Sequence, residues 1–260
     1  MSPATTALAW SDAARAWTYA WSIVLEAIPY ILVGAIAAAM FERLAHRSVL
    51  VALFAAIAPG CDCSMNGFAR SLGSLPPPVA GALIVWGSCC NPIALLTTYQ
   101  ILGGRLTLAR MGGALAASLL IATSWAIGRA RFKATEASCQ TKVGQPALVE
   151  HFGSGVKSLV LAAVLGGTVL AFFPDWLRAH SSPWFAAFAG ALLSPCSSAD
   201  PILARALMST SAAHATFIVA AQCIDVRQIT LLGRCFGAAP ALLGTIAGAA
   251  GCCLAAIIAR

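Results

Sequence analysis

The chain of 260 residues is 60% hydrophobic and 10% charged, with 16 basic against 9 acidic side chains and a net charge of +7. A soluble domain carries roughly 25% charged residues, so a water-facing globular surface is excluded. The positive balance is not gathered into a basic run or an aromatic-basic platform, which argues against nucleic acid and makes the lipid bilayer the expected surroundings.

The opening MSPATTALAW has neither a basic head nor a short apolar core before a cleavage site, so no signal peptide is expected. A helix needs about 20 mostly apolar residues to cross a bilayer core. About eight such stretches follow, at roughly 17–40, 49–74, 79–102, 107–128, 155–173, 184–208, 213–233 and 238–259. None alternates as a transmembrane strand does. The expected fold is an all-α integral membrane protein of about eight transmembrane helices.

The first stretch carries Glu26 three residues before Pro29. The second is interrupted at Pro59-Gly60, followed by Cys61-Asp62-Cys63-Ser64-Met65-Asn66. Pro76-Pro77-Pro78 then ends one helix and starts the next, and the third stretch holds Cys89-Cys90-Asn91-Pro92. After the fourth comes the only sustained polar segment, 130–152. It divides a first four-span repeat, 1–129, from a second, 153–260. The sixth stretch is interrupted at Ser194-Pro195-Cys196-Ser197-Ser198-Ala199-Asp200-Pro201, and the seventh carries Cys223 and Asp225. Proline removes a backbone donor and clashes with the preceding turn. Non-helical backbone at membrane depth is tolerated only where it is buried in protein or lines a wet cavity. Broken helices with polar residues at equivalent places therefore point to a central cavity.

The halves repeat each other. Setting Cys61 on Cys196 brings Ala69-Arg70-Ser71-Leu72 onto Ala204-Arg205-Ala206-Leu207 without a gap. One deletion later, Cys89 meets Cys223, Asn91 meets Asp225, and Leu102-Gly103 meets Phe236-Gly237. Repeats of four crossings keep the same orientation, so a pseudo-twofold axis along the membrane normal is expected, with a substrate site at the repeat interface. Arg129, Arg131, Lys133, Lys142 and Lys157 place the linker in the cytoplasm by the positive-inside tendency, in the cell's inner (cytoplasmic) membrane. Eight crossings put both termini on that side too. Arg43, Arg47, Arg105, Arg110, Arg178 and Arg234 are then expected to flank the opposite side. Trp10, Trp17, Trp21, Trp125, Trp176 and Trp184 read as interfacial anchors.

Charges in apolar context cost at least about 2.5 kcal/mol each near the bilayer centre. Asp62, Asp200, Asp225, Arg70, Arg205 and Arg227 are in that position. They read as functional or as pairs, for example Asp62 with Arg205. Of the ten cysteines, Cys61, Cys63, Cys89, Cys90, Cys196 and Cys223 cluster at the breaks. Cys-x-Cys in a regular helix would point its sulfurs about 200° apart, but after Pro-Gly both thiols are free to turn inward. Thiolates select soft ions, so Cys61, Cys63, Cys89 and Cys196 are candidate ligands for a transported ion. Asp62 is placed to accept the proton that a thiol releases on ligation. Asn66, Cys90, Asn91, Asp200, Cys223 and Asp225 complete the candidate substrate site. Cys235, Cys252 and Cys253 read as packing, and His46, His151, His180 and His214 as interfacial residues.

The broken Pro-Gly-Cys-x-Cys span, with Ser88-Cys89-Cys90-Asn91-Pro92-Ile93-Ala94-Leu95-Leu96, resembles the predicted permeases related to organoarsenical efflux permeases. So do Cys196-Ser197-Ser198-Ala199-Asp200-Pro201 and Leu231-Leu232-Gly233-Arg234-Cys235-Phe236-Gly237, and the likeness covers roughly residues 20–258. It implies an eight-span permease exporting thiophilic compounds: trivalent organoarsenicals in the best-known branch, soft metals in others. Two departures touch the substrate. The run after Cys63 is Ser64-Met65-Asn66 where that branch has a Cys-x-Cys-Gly type run, and Asp225 stands where relatives resemble the first half's Asn.

No phosphate-cradling loop exists, so a proton or ion gradient or a partner ATPase would drive transport. A membrane thiol oxidoreductase using Cys61 and Cys63, and uptake of a sulfur or metal species, are the alternatives. No enzyme activity and no cofactor is expected, and a homo-oligomer is left open.

Overall fold

A computed structural model describes residues 3–44, 75–128, 147–193, 197 and 199–260. The predicted stretch 49–74, with Cys61, Asp62, Cys63, Asn66 and Arg70, lies outside the described residues, as do Cys196 and most of the linker. All secondary structure described is α-helical, and the chain is an all-α, multi-pass membrane protein.

Helix α1, Pro3–Leu44, has 42 residues. It starts well before the expected position near 17 because Ala-rich residues without glycine continue the helix into the N-terminal segment. At 1.5 Å per residue it measures about 63 Å, so it projects beyond a bilayer core of about 30 Å. Asp12 and Arg15 pair one turn apart on the projecting part, and the stacked, exposed Trp17 and Trp21 follow.

Helix α2, Pro77–Cys89, begins where Pro76 (φ −55°, ψ 136°) leads into prolines at the first helical positions, which need no donor there. Two residues separate it from α3, Pro92–Leu102. Gly103, at φ 87° where only glycine sits without strain, turns the chain into α4, Gly104–Ile127. Helix α5 spans Ala147–Phe172, so the last six residues assigned to the linker are helical. The short α6, Pro174–Ala179, precedes α7, Pro183–Leu193, and α8, Asp200–Leu207. The chain ends in α9, Ser211–Cys223, α10, Val226–Phe236, and α11, Ala238–Ile258.

The α2–α3–α4 backbone recurs in α9–α10–α11. Cys90 and Ile224 have φ/ψ of −114°/26° and −133°/21°, and Asn91 and Asp225 −64°/152° and −70°/159°. Gly103 and Gly237 match at 87°/170° and 99°/172°. Taken across their breaks, Pro77–Leu102 and Ser211–Phe236 each have the length and hydropathy to cross a membrane, as do Gly104–Ile127 and Ala238–Ile258.

The orientation of the counterparts differs from the expected one. Helices α4 and α11 are antiparallel: Arg105 Nε donates to Ile258 O at 3.3 Å, and Trp125 Nε1 to Pro240 O at 3.1 Å. Midway, a Cβ on Gly113 would lie 2.8 Å from Gly251 O, and one on Gly251 2.5 Å from Gly113 O. Small residues bring these backbones into contact, as is usual between membrane helices. Gly166 and Gly167 of α5 likewise lie against Ala16, Ala20 and Ile23 of α1, where a parallel partner would meet residues near 31.

The hairpin α7–α8 explains the inversion. Ser209 N donates to Ser181 Oγ at 2.9 Å, and the two hydroxyls are 3.0 Å apart. The chain therefore enters at Pro183 and returns to the same face by Leu207. Eleven and eight residues give limbs of about 16 and 12 Å, half a bilayer core each. Of the eight apolar stretches, 184–208 is thus re-entrant. Three crossings remain in the second half (α5, α9–α10, α11), and an odd number inverts the repeat. The pseudo-twofold axis lies in the membrane plane, not along its normal.

One face carries the start of α1, Gly103, Ser181, Ser209 and the C-terminus. The other carries Leu44, Pro77, Ile127, Ala147 and Gly237. The ends of α4 and α5 that flank the linker are on this second face, so the expected placement of linker and termini together is corrected. The main core lies between α2, α4, α7, α9 and α11, and a smaller one joins α1 to α5 through Ala20, Val24, Leu159 and Ala163.

Candidate functional site

The breaks meet at mid-membrane. Helix α2 stops because Pro92 has no N–H to offer Ser88 O; the Asn91 Nδ2 group reaches that carbonyl instead, at 3.4 Å. Asn91 Oδ1 accepts from Ala94 N at 2.8 Å, capping α3. Asp225 Oδ1 accepts from Gln228 N at 2.6 Å and caps α10 in the same way. Asn91 Nδ2 also donates to Ser197 Oγ, 3.1 Å away at the tip of the α7–α8 hairpin. Ser88 Oγ donates to Gln222 O at 3.3 Å, joining the two broken helices.

Arg110 organises the centre. It was expected to flank the membrane, yet it is completely buried. Nε donates to Cys89 O at 2.6 Å, Nη1 to Thr98 Oγ1 at 2.9 Å and Asp200 Oδ1 at 2.8 Å. Nη2 donates to Asp200 Oδ2 at 3.0 Å and Ser197 O at 3.5 Å. All five guanidinium N–H groups therefore have acceptors, and Asp200 receives the bidentate fork that suits a carboxylate. Gln222 Nε2 adds a bond to Asp200 Oδ2 at 2.9 Å. A charge can persist at this depth only with such compensation.

The thiols lie beside this pair. The Cys89 thiol lies close to those of Cys90 and Cys223, and the Cys89 carbonyl oxygen accepts from Arg110 Nε at 2.6 Å. All three cysteines are buried and carry free thiols. The contacts run pairwise through Cys89, and among the described residues no three His, Cys, Asp or Glu side chains converge to hold a metal ion. Of the predicted site residues, the structure gathers Cys89, Cys90, Asn91 and Cys223 with Asp200, and sets Asp225 at the second break. Cys61, Asp62, Cys63, Asn66 and Cys196 lie outside the described residues.

Other expectations divide. Arg205, offered as a partner of Asp62, is exposed and donates to Ile101 O at 3.2 Å, while Asp62 lies outside the described residues; Asp200 pairs with Arg110. Cys252 is buried with its Sγ 3.9 Å from Thr216 O, while Cys253 is exposed. Trp176 and Trp184 are exposed, in keeping with anchors, but Trp125 is fully buried against Gly81 and Phe236. Sequence reasoning missed Arg110, Thr98 and Gln222. The available signal was that Arg110 lies inside the apolar stretch 107–128.

Comparison with known proteins finds a relationship over part of the chain. Over 118 residues the chain is 32% identical to the UPF0718 protein YcgR of Bacillus subtilis (strain 168), taking in 38% of this chain and 40% of that protein. The match thus spans well under half of the relative's length. No family model matches, and no solved structure does.

Proposed function

We propose that the chain is a permease of the cytoplasmic membrane that exports small thiophilic species, trivalent organoarsenicals or soft metal ions, past the thiols at the helix breaks. One observation carries the reading: three free thiols, Cys89, Cys90 and Cys223, are buried at mid-membrane where two broken helices meet a re-entrant tip. Packing alone needs neither broken helices nor a buried ion pair beside it, whereas passage of a soft ligand needs exchangeable thiolates and unwound backbone at the repeat interface. An inverted repeat also supplies two equivalent arrangements that open to opposite faces. Cys61, Cys63 and Cys196, with Asp62, Asn66 and Asp225, would extend the same path. With Arg129, Arg131, Lys133 and Lys142 in the linker, the linker face is the cytoplasmic one. No enzymatic step is invoked.

The test is flux. Proteoliposomes of the purified chain, loaded with a trivalent methylarsenical, should exchange it with external tracer, and Cys89→Ser and Cys223→Ser should each slow that exchange at least tenfold. Ser is close to Cys in volume but is a poor soft-ion ligand. Exchange that is absent from the wild type for arsenicals and for Cu(I), Zn and Cd alike would refute the reading. Turnover of a dithiol or quinone without flux would favour the oxidoreductase.

A further inference from the structure

We infer that Asp200 is the proton-binding site that couples transport to a pH gradient, with Arg110 as the group that transmits its state to the thiols. The inference rests on the permease reading and adds the coupling ion and its seat.

Asp200 stands at the tip of the only re-entrant hairpin among the described residues, at the first position of α8, and is inaccessible to solvent. The fork from Arg110 joins this tip, in the second half, to Cys89 O and Thr98 Oγ1 in the first. A proton on Asp200 converts an acceptor-only carboxylate into a neutral acid. One of the two fork bonds is then lost and the charge holding the guanidinium disappears. Arg110 is left buried with neutral acceptors only, an unstable arrangement that ends when the hairpin tip moves away from α2 and α3. That movement takes Arg110 from Cys89, whose carbonyl oxygen accepts from its Nε at 2.6 Å. The step is a single proton transfer from water on the hairpin's face to a carboxylate oxygen, and its reversal later in the cycle. No electrons move.

The surroundings leave Asp200 as the group that exchanges this proton. Among the described residues, the charged or titratable groups facing it are Arg110 from α4 and the Cys89 thiol from α2. Helix α9 brings the neutral Gln222, and α3 brings Thr98 through Arg110. Asp175 and Arg178 of α6 are exposed at the far end of α8, where Arg178 Nε donates to Ala206 O at 2.9 Å. Helix α5 carries Lys157, which is exposed. Counterparts of Arg110, Thr98 and Asp200 in the repeat are Gly244, Leu232 and Met65, so the repeat does not duplicate this pair.

The experiment uses the full chain in proteoliposomes with a trivalent methylarsenical as probe. It reads the accumulation ratio under an imposed pH gradient, and exchange without a gradient. For one-for-one exchange with protons, the wild type should accumulate up to about tenfold per pH unit, and probe entry should move protons, followed with an internal pH dye. In Asp200→Asn, and in the charge-free pair Arg110→Gln/Asp200→Asn, the ratio should fall to one while residual exchange, at whatever rate, persists. The pair guards against misfolding from an uncompensated Arg110. A gradient-driven ratio above one in either variant overturns the assignment. So does wild-type exchange indifferent to pH gradients, and so does a folded charge-free pair that exchanges nothing, which would place Asp200 in the substrate's passage instead. Absence of any wild-type exchange refutes the permease reading itself, a distinct result.

Discussion

Joining Ser181 to Ser209 by a disulfide would test the re-entrant hairpin on which the inverted topology rests. Their hydroxyl oxygens are 3.0 Å apart and Ser209 N donates to Ser181 Oγ at 2.9 Å, a separation at which paired cysteines bridge with little backbone movement. A through-going helix over 183–207 would instead hold them about 37 Å apart at 1.5 Å per residue. The variant Ser181→Cys/Ser209→Cys is made with the exposed Cys253 and the linker's Cys139 replaced by Ser. Mild oxidation in native membranes should then form the bond in most molecules, read as a 2 Da loss of mass over the tryptic peptides that join. The closed loop of roughly 28 residues should also stabilise the fold by about 3.6 kcal/mol in the chain-entropy account, raising the unfolding midpoint in detergent. If the bridge fails to form while each single cysteine labels from the same face, the hairpin geometry is wrong in detail. If the two cysteines label from opposite faces, 184–208 crosses the membrane, the repeats are parallel, and the inverted reading falls.

The remaining expectations follow from the same geometry. Asp200→Ala strands a buried guanidinium and should destabilise by about 3–5 kcal/mol, whereas Arg110→Gln/Asp200→Asn should lose far less; a fluorogenic thiol dye that reports exposure of Cys89, Cys90 and Cys223 on heating measures both. Gly251→Val forces a side chain to within 2.5 Å of Gly113 O and should cost about 1–3 kcal/mol by overpacking, seen as a lowered midpoint in the same assay. Cys139 in the linker should label from the face opposite to a Ser209→Cys reporter, and labelling from one face would contradict the inverted topology. Cys252→Ser should leave arsenical exchange within a factor of two of the wild type, in contrast to Cys89→Ser, since its sulfur lies 3.9 Å from Thr216 O in the packed α9–α11 contact.

What could be read from the sequence was whatever depends on local chemistry. The prolines at 76–78 and at 92, and the alignment of Asn91 with Asp225 and of Gly103 with Gly237, were readable, and the structure places breaks at all of them; that Asn91 and Asp225 cap the helices after the breaks came from the structure. The sense of the repeat was not legible. An apolar run of 25 residues with proline at its middle has the length to cross once or to enter halfway and return. Hydropathy takes the same value for both, and contacts distant in sequence decide: Ser181 with Ser209, and the antiparallel α4 and α11. Arg110 was hidden for a related reason: an arginine three residues inside an apolar run reads equally as a snorkelling side chain or as a buried partner. Its partner lies 90 positions away, beyond any local pattern. Trp125 reads as an anchor from its place near a helix end. It is buried because Gly81 leaves room for the indole and Pro240 O accepts its N–H at 3.1 Å.

Under the permease reading, an ion pair that the repeat does not duplicate has an energetic consequence. Two inverted halves with matching contacts would open to either face at equal free energy. Among the described residues the fork of Arg110 on Asp200 has no counterpart: at the place equivalent to Arg110 and Thr98, Leu232 fills the space beside Gly244, with Cδ1 2.9 Å from where a Cβ would stand. A bias of 99 to 1 between the two arrangements requires about 2.7 kcal/mol. One hydrogen bond to a charged group contributes about 1.5–3 kcal/mol, so a bidentate pair supplies such a bias with margin for the desolvation it carries. The unprotonated protein therefore rests with the hairpin tip docked and its face closed. The proton on Asp200 is what makes the other arrangement accessible. Removing both charges should accordingly leave the two arrangements close in energy, so that thiols at the site label from both faces in Arg110→Gln/Asp200→Asn and from one face in the wild type.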